Sequence, residues 1–140
     1  MMSDVQQKIL GIIKTPALAT LATITEDNKP WARYVMIQAQ DDMRIRFATY
    51  LHSRKVQQIR ANPEVHLTCG STGEPPMQQY LQIQGKAEVS TDESEKTAYW
   101  NDELKNYFTD PDDPNYAVVI VKPYRIEFQT HSEKPAIWEA

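Results

Sequence analysis

The sequence is short of the residues that staple or anchor a chain. It has one cysteine, Cys69, so no internal disulfide can form and a structural metal site has little to build on. Cys69 alternates with Val65 and Leu67 and reads as a small strand residue turned inward. The three histidines, His52, His66 and His131, have no metal-ligand spacing. The four glycines form no phosphate-cradling loop, and no serine or cysteine sits in a nucleophile arrangement. No apolar run approaches the roughly 20 residues of a membrane span. Met1–Lys14 lacks the basic start, apolar stretch and small-residue cleavage site of a secretory signal. The expectation is a cytoplasmic protein without a membrane partner.

Length and charge bound the rest. A chain of 140 residues predicts one domain, 1–140, able to bury a core without staples. A net charge of −4 argues against nucleic acid as a partner. The charge is uneven: Lys29–Arg60 holds seven basic and two acidic residues, and Glu88–Asn115 holds two basic and nine acidic. A basic region in an acidic chain suits a small anionic ligand, though ordinary surface charge explains such counts equally well.

Ser3 and Gln6 form a capping-box pattern ahead of Val5, Ile9, Leu10, Ile12 and Ile13 at helical spacing, and Thr15-Pro16 ends that helix. Ala17–Ile24 is a β-branched apolar run. After the turn Glu26–Lys29, Pro30 opens a second strand, with Trp31, Arg33, Val35 and Ile37 on one face and Ala32, Tyr34, Met36 and Gln38 on the other. Beyond Asp41-Asp42, Met43, Ile45 and Phe47 alternate in a third strand. A helix over Ser53–Ala61, stopped by Asn62-Pro63, leads to a fourth strand around Val65–Cys69. Gly70–Pro76 reads as a loop and Gln79–Val89 as a fifth strand, with a bulge at Gly85. Thr91–Phe108 reads as one helix with an acidic first turn, Thr109–Asn115 as a loop, and Tyr116–Thr130 as a sixth strand marked by Pro123. His131–Ala140 is a tail carrying Trp138. Six strands in hairpin-like order with three helices predict a mainly β protein, an antiparallel barrel with peripheral helices.

One segment concentrates chemistry. Phe47–Val56 runs from a strand end through a polar turn into a helix that starts Ser53, Arg54, Lys55. A helix start offers unpaired N–H groups and partial positive charge, enough to hold a phosphate. Two cations there work against the helix dipole unless an anion is bound. The plainer alternative is that Ser53 caps the helix while the cations are solvated. Arg33, sharing a strand face with apolar residues, needs a partner as well: a bound anion, or a salt bridge to Asp41 or Glu26.

Arg33-Tyr34-Val35-Met36-Ile37, then Phe47-x-Thr49-x-x-x-Ser53-Arg54-Lys55, resembles the FMN-binding half of the pyridoxamine 5′-phosphate oxidase family. Gln58–Val65 and Gly85–Glu88 extend the resemblance, which covers about residues 17 to 90. It implies a six-stranded antiparallel split β-barrel of the FMN-binding type, and a homodimer with FMN between the subunits. Arg33, Thr49, Ser53, Arg54 and Lys55 would serve the phosphate and ribityl end. The backbone at Tyr34, Val35 and Met36 would follow the flavin ring. The later segment Trp100–Phe108 with Pro111–Tyr116 resembles the general stress protein 26 branch.

The departures bear on activity. Gln38 stands where the oxidases carry a substrate-binding lysine. Tyr80 replaces a flavin-contacting glutamine. The acidic stretch Tyr99–Asn115 lacks their phosphate-gripping Tyr, Arg and Ser. The resemblance therefore implies an FMN-dependent oxidoreductase with a small-molecule donor or acceptor, other than a true pyridoxamine 5′-phosphate oxidase. The alternatives are a flavin-binding protein without turnover, or a haem- or F420-binding barrel.

Overall fold

The computed structural model describes residues 2–70, 78–131 and 133–140, so most of the expected loop over Gly70–Pro76 lies outside the described residues. Helix α1 (Asp4–Ile13) starts as its sequence predicts. The Ser3 side chain accepts from the Gln6 backbone and the Gln6 side chain accepts from that of Ser3. Its buried stripe is Ile9, Leu10 and Ile13.

Six strands close a ring, β1 (Ala17–Ile24), β2 (Pro30–Ala39), β3 (Ile45–Tyr50), β6 (Tyr116–Thr130), β5 (Gln79–Ser90) and β4 (Glu64–Cys69), each antiparallel to its neighbours. The period of two in each strand turns Leu21, Ile37, Phe47, Leu67, Ile83 and Ile126 inward, where each is fully buried. A second cluster, Leu104, Phe108, Tyr116, Val118 and Ile120, lies on the other face of β6. Helix α2 (Arg54–Ala61) inserts Val56, Gln58 and Ile59 against β1 and β5. Among the described residues no helix is long and apolar enough to cross a membrane.

Three expectations are corrected. The third strand begins at Ile45, not Met43, because Met43 adopts φ 69° and its N–H closes a turn on the Gln40 carbonyl. The helix expected over Thr91–Phe108 is two pieces, α3 (Glu93–Tyr99) and a 3₁₀ turn over Asp102–Asn106. Trp100 and Asn101 between them are extended, and the Asn101 side chain accepts from the Glu103 N–H at 3.0 Å, starting a new turn. The tail contains a seventh strand, β7 (Ala136–Glu139), added outside the ring on β6. Arg125 holds it through Glu139 at 3.2 Å, and Trp138 packs against the core.

The bulge expected at Gly85 is present: the β5–β6 register shifts between Gln84 and Gly85, opposite Pro123. Pro123 falls between the part of β6 paired with β3 and the part paired with β7, where its missing N–H breaks no ladder bond on that side.

Candidate functional site

The ring is weakest between β2 and β3. Only Gln38–Arg46 and Ala39–Ile45 pair there, so the remainder of both strands diverges with free backbone edges. Those edges border a cavity of about 520 Å³, within the roughly 300–1,000 Å³ typical of small-molecule sites. Tyr34, Val35 and Met36 of β2 line it, as do Thr49 of β3 and Lys55 of α2. Five of the eight predicted site residues therefore share one wall system. Ser53, Arg33 and Arg54 stand behind it.

Ser53 occupies the N-cap position of α2 but makes no capping bond with its side chain. Its hydroxyl lies 3.1 Å from the Thr49 hydroxyl and accepts from Lys55 Nζ at 3.4 Å. The plain capping role is thus set aside; of the first N–H groups of the helix, that of Val56 donates to the Ser53 carbonyl at 3.2 Å. Arg54 sits over the Trp31 ring, 5.6 Å from its centroid.

Arg33 has no carboxylate partner, which corrects the salt bridge to Asp41 or Glu26. Nη2 donates to Gln58 Oε1 at 2.8 Å, and Nη1 to Thr23 Oγ1 at 2.8 Å and to the Trp31 and Leu21 carbonyls at 3.1 and 3.3 Å. All these acceptors are neutral, so the guanidinium is fixed in direction with its charge uncompensated. Among the described residues, no carboxylate comes within ion-pair reach of Arg33, Arg54 or Lys55.

That arrangement lowers proton affinity. Burial, and then the Arg33 charge, hold the Lys55 amine below its ordinary 10.5. Burial, and then Arg54, lower Arg33 in the same way. A lysine whose folded-state pKa is depressed costs stability while charged, and that cost is relieved as pH rises from the depressed value toward 10.5. The protein without added ligand is therefore expected to gain stability over that interval relative to a Lys55→Met variant. Urea unfolding of both across pH 8 to 10.5 checks it. Taking the difference removes Tyr99 and Tyr116, whose hydroxyls burial pushes up and which act oppositely above pH 10. A flat difference would show that Lys55 is as comfortable folded as unfolded.

The facing wall comes from beyond the FMN-binding half. Tyr99, Asn101, Glu103 and Tyr107, from α3 and the turn after it, complete the cavity. Trp100–Phe108 carries the resemblance to the general stress protein 26 branch, but that resemblance carries no site role. Their segment is pinned by the buried Arg46, whose Nε meets Glu95 at 3.0 Å. Lys96 Nζ donates to the Asp113 carbonyl at 3.0 Å, and the Tyr116 hydroxyl to the Lys96 carbonyl at 2.9 Å. Tyr50 and Phe108, rings 4.9 Å apart, close the side. Gln38 lines the same cavity, its amide donating to the Lys14 carbonyl at 2.9 Å.

A sequence profile described as pyridoxamine 5′-phosphate oxidase matches residues 5–130, nearly the whole chain. The chain belongs to that family. Within the pyridoxamine 5′-phosphate oxidase family it is 29% identical over 134 residues to General stress protein 26 of Bacillus subtilis, covering 96% of this chain and 94% of that one. The crystal structure of General Stress Protein 26 from Bacillus anthracis superposes with TM-score 0.84 at 28% identity, over 99% of this chain and 100% of that one. The pyridoxine/pyridoxamine 5′-phosphate oxidase of Anaplasma phagocytophilum is 34% identical over 88 residues, but these span 63% of this chain and only 41% of that enzyme. More distant structures share the fold alone. An FMN binding protein from Nostoc punctiforme has TM-score 0.68 and 18% identity over 84% of this chain and 76% of that one. A heme binding protein from Mycobacterium smegmatis has TM-score 0.78 and 15% identity over 99% and 59%.

Proposed function

We propose that this chain binds FMN and works as a flavin-dependent oxidoreductase on a small molecule, in the cytoplasm, as a homodimer. One observation carries the reading: three cations, Arg33, Arg54 and Lys55, gather at a helix start without a carboxylate, beside a cavity edged by unpaired strand backbone. Such a site fits an anionic group on one end of a flat ligand. The resemblance of Arg33–Ile37 and Phe47–Lys55 to the FMN-binding half of the pyridoxamine 5′-phosphate oxidases supports the choice of FMN.

Lys55, the Ser53 and Thr49 hydroxyls and the α2 N–H groups would hold the phosphate and ribityl end. Arg33 and Arg54 would add field. The β2 edge at Tyr34, Val35 and Met36 would orient the ring. When bound, FMN supplies the electron transfer itself, and the protein supplies position and electrostatics. Gln38 and the acidic facing wall leave no grip for a substrate phosphate, which separates this reading from pyridoxamine 5′-phosphate oxidation.

The homodimer has its own support. Leu18 and Met36 are register partners on adjacent strands and stand 58% and 48% exposed, with Tyr34 beside them at 75%. Apolar side chains grouped beside a cavity mouth are suited to burial by a second copy. Light scattering is expected to give a dimer; a monomer holding FMN tightly would contradict it.

The central test is titration of cofactor-stripped protein with FMN, followed by flavin absorbance and fluorescence quenching. One FMN per chain, saturably, is the expected result. Absence of binding refutes the reading and turns the question to haem or F420, which their absorbance spectra distinguish. A flavin-holding role without turnover is the second reading, favoured by the lack of histidine or cysteine among the described lining residues. Steady-state oxidation of reduced nicotinamide cofactors and other donors by the loaded protein decides between the two.

A further inference from the structure

We infer that the wall built from Tyr99 to Phe108 is a recognition site for a second ligand carrying a positively charged aromatic ring, with Glu103 as its counter-charge. The inference rests on the flavin reading of the opposite wall and names the substrate class of the same cavity.

The cavity is electrically lopsided. Among its described lining residues, Lys55 is the one base and Glu103 the one acid. No ion pair joins them. The Lys55 end is reinforced by Arg33 and Arg54. The Glu103 end belongs to the acidic stretch of the chain; its neighbour Asp102 is paired with Lys105 at 3.3 Å, which leaves Glu103 as the charge that faces the cavity. A field that favours an anion at one wall therefore favours a cation at the other. A phosphorylated or carboxylated partner would meet repulsion there.

Glu103 is also free to act and held in place. Its backbone N–H donates to the Asn101 side chain and its carbonyl accepts from Asn106 Nδ2, both at 3.0 Å. Its carboxylate has no hydrogen-bond or ion-pair partner among the described residues. The backbone is thus fixed, while the carboxylate is exposed to solvent and unpaired among the described residues. The same wall is aromatic: Tyr99, Tyr107 and Phe108 line the cavity with it. Ring faces attract cations and stack on flat ligands, so this wall combines both attractions that select a cationic ring over a neutral or anionic one. N-alkylated pyridinium is the simplest such group.

Three probes share one ring and differ in charge: 1-methylnicotinamide, a cation; nicotinamide, neutral; and nicotinate, an anion. Their binding to the protein, with and without FMN, is measured by calorimetry or ligand-observed NMR. With FMN bound at the Lys55 end, the expected order is cation, neutral, anion, with the spread narrowing as salt rises. Glu103→Gln is expected to weaken the cation by about threefold to fivefold, leaving nicotinamide and FMN titrations unchanged. The idea is overturned if nicotinate binds the FMN-loaded protein as well as the cation does, if Glu103→Gln leaves the cation untouched, or if the cation displaces FMN one for one. Failure of FMN to bind would instead refute the flavin reading; the Lys55 end is then open to nicotinate, and the effect of Glu103→Gln on the cation still tests this wall.

Discussion

Replacing Arg54 and Lys55 together by alanine is expected to weaken FMN by about a hundredfold while moving riboflavin by less than about threefold. The two ligands differ only in the phosphate, so the difference isolates the anion end. A hydrogen bond between charged partners is worth about 1.5–3 kcal/mol, so losing that of Lys55 together with the field of Arg54 gives roughly 3 kcal/mol, or two powers of ten. Arg33 stays, tied to Gln58 and Thr23, so some attraction survives. The same variant is expected to unfold at the same or a higher temperature when cofactor-free. It removes cations that repel Arg33 and each other and breaks no ion pair. Loss of ligand affinity without loss of stability is the signature of residues held for a ligand. Equal weakening of FMN and riboflavin would place the phosphate elsewhere.

Gly85→Val is expected to destabilise the fold by about 3 kcal/mol or more, lowering the melting temperature by about 10 °C, with Gly85→Ala showing much of the effect. A Cβ at this position would lie 2.8 Å from a Val121 methyl, 2.9 Å from the Lys122 carbonyl oxygen and 3.1 Å from Pro123 Cα. Two of these are backbone atoms of β6 and cannot swing aside. Val121 also pairs with Ile45 of β3, so a displacement there reaches the strand that carries Thr49. FMN affinity should fall along with stability. Thermal and urea unfolding check the first effect and titration the second; an unchanged urea midpoint for Gly85→Val would mean that β6 yields at the bulge.

Most of the ring was legible in the sequence because each strand alternates cleanly and each turn is marked. The capping box at Ser3 and the bulge at Gly85 opposite Pro123 follow from local chemistry alone. What escaped depended on distant partners. Arg33 looked as if it needed a bound anion or a carboxylate, but Gln58 arrives from α2 with a neutral acceptor, and no pattern around Arg33 announces that. The helix beyond Thr91 breaks at Trp100 because Asn101 diverts its side chain to the backbone, a choice nearly balanced in energy against continuing. The strand at Ala136 is too short to show a period and exists because β6 has an open edge. Thr49, Ser53 and Lys55 were visible from the strand-to-helix spacing, whereas the facing wall lay beyond the FMN-binding half, where the resemblance of Trp100–Phe108 carried no site role.

The pairing of β3 with β6 has a consequence for how the molecule is made. β3 has two paired residues on its β2 side and six on its β6 side, yet α2, β4 and β5 are threaded between β3 and β6 in the chain. Closing so distant a contact is entropically costly and slow. During synthesis β3 has little to lean on until Tyr116–Val121 emerges, and Thr49 cannot be set against Lys55 before then. On the flavin reading, capture of FMN is thereby deferred to a nearly finished chain, and the ligand would act as a late latch that draws the last pairing to completion.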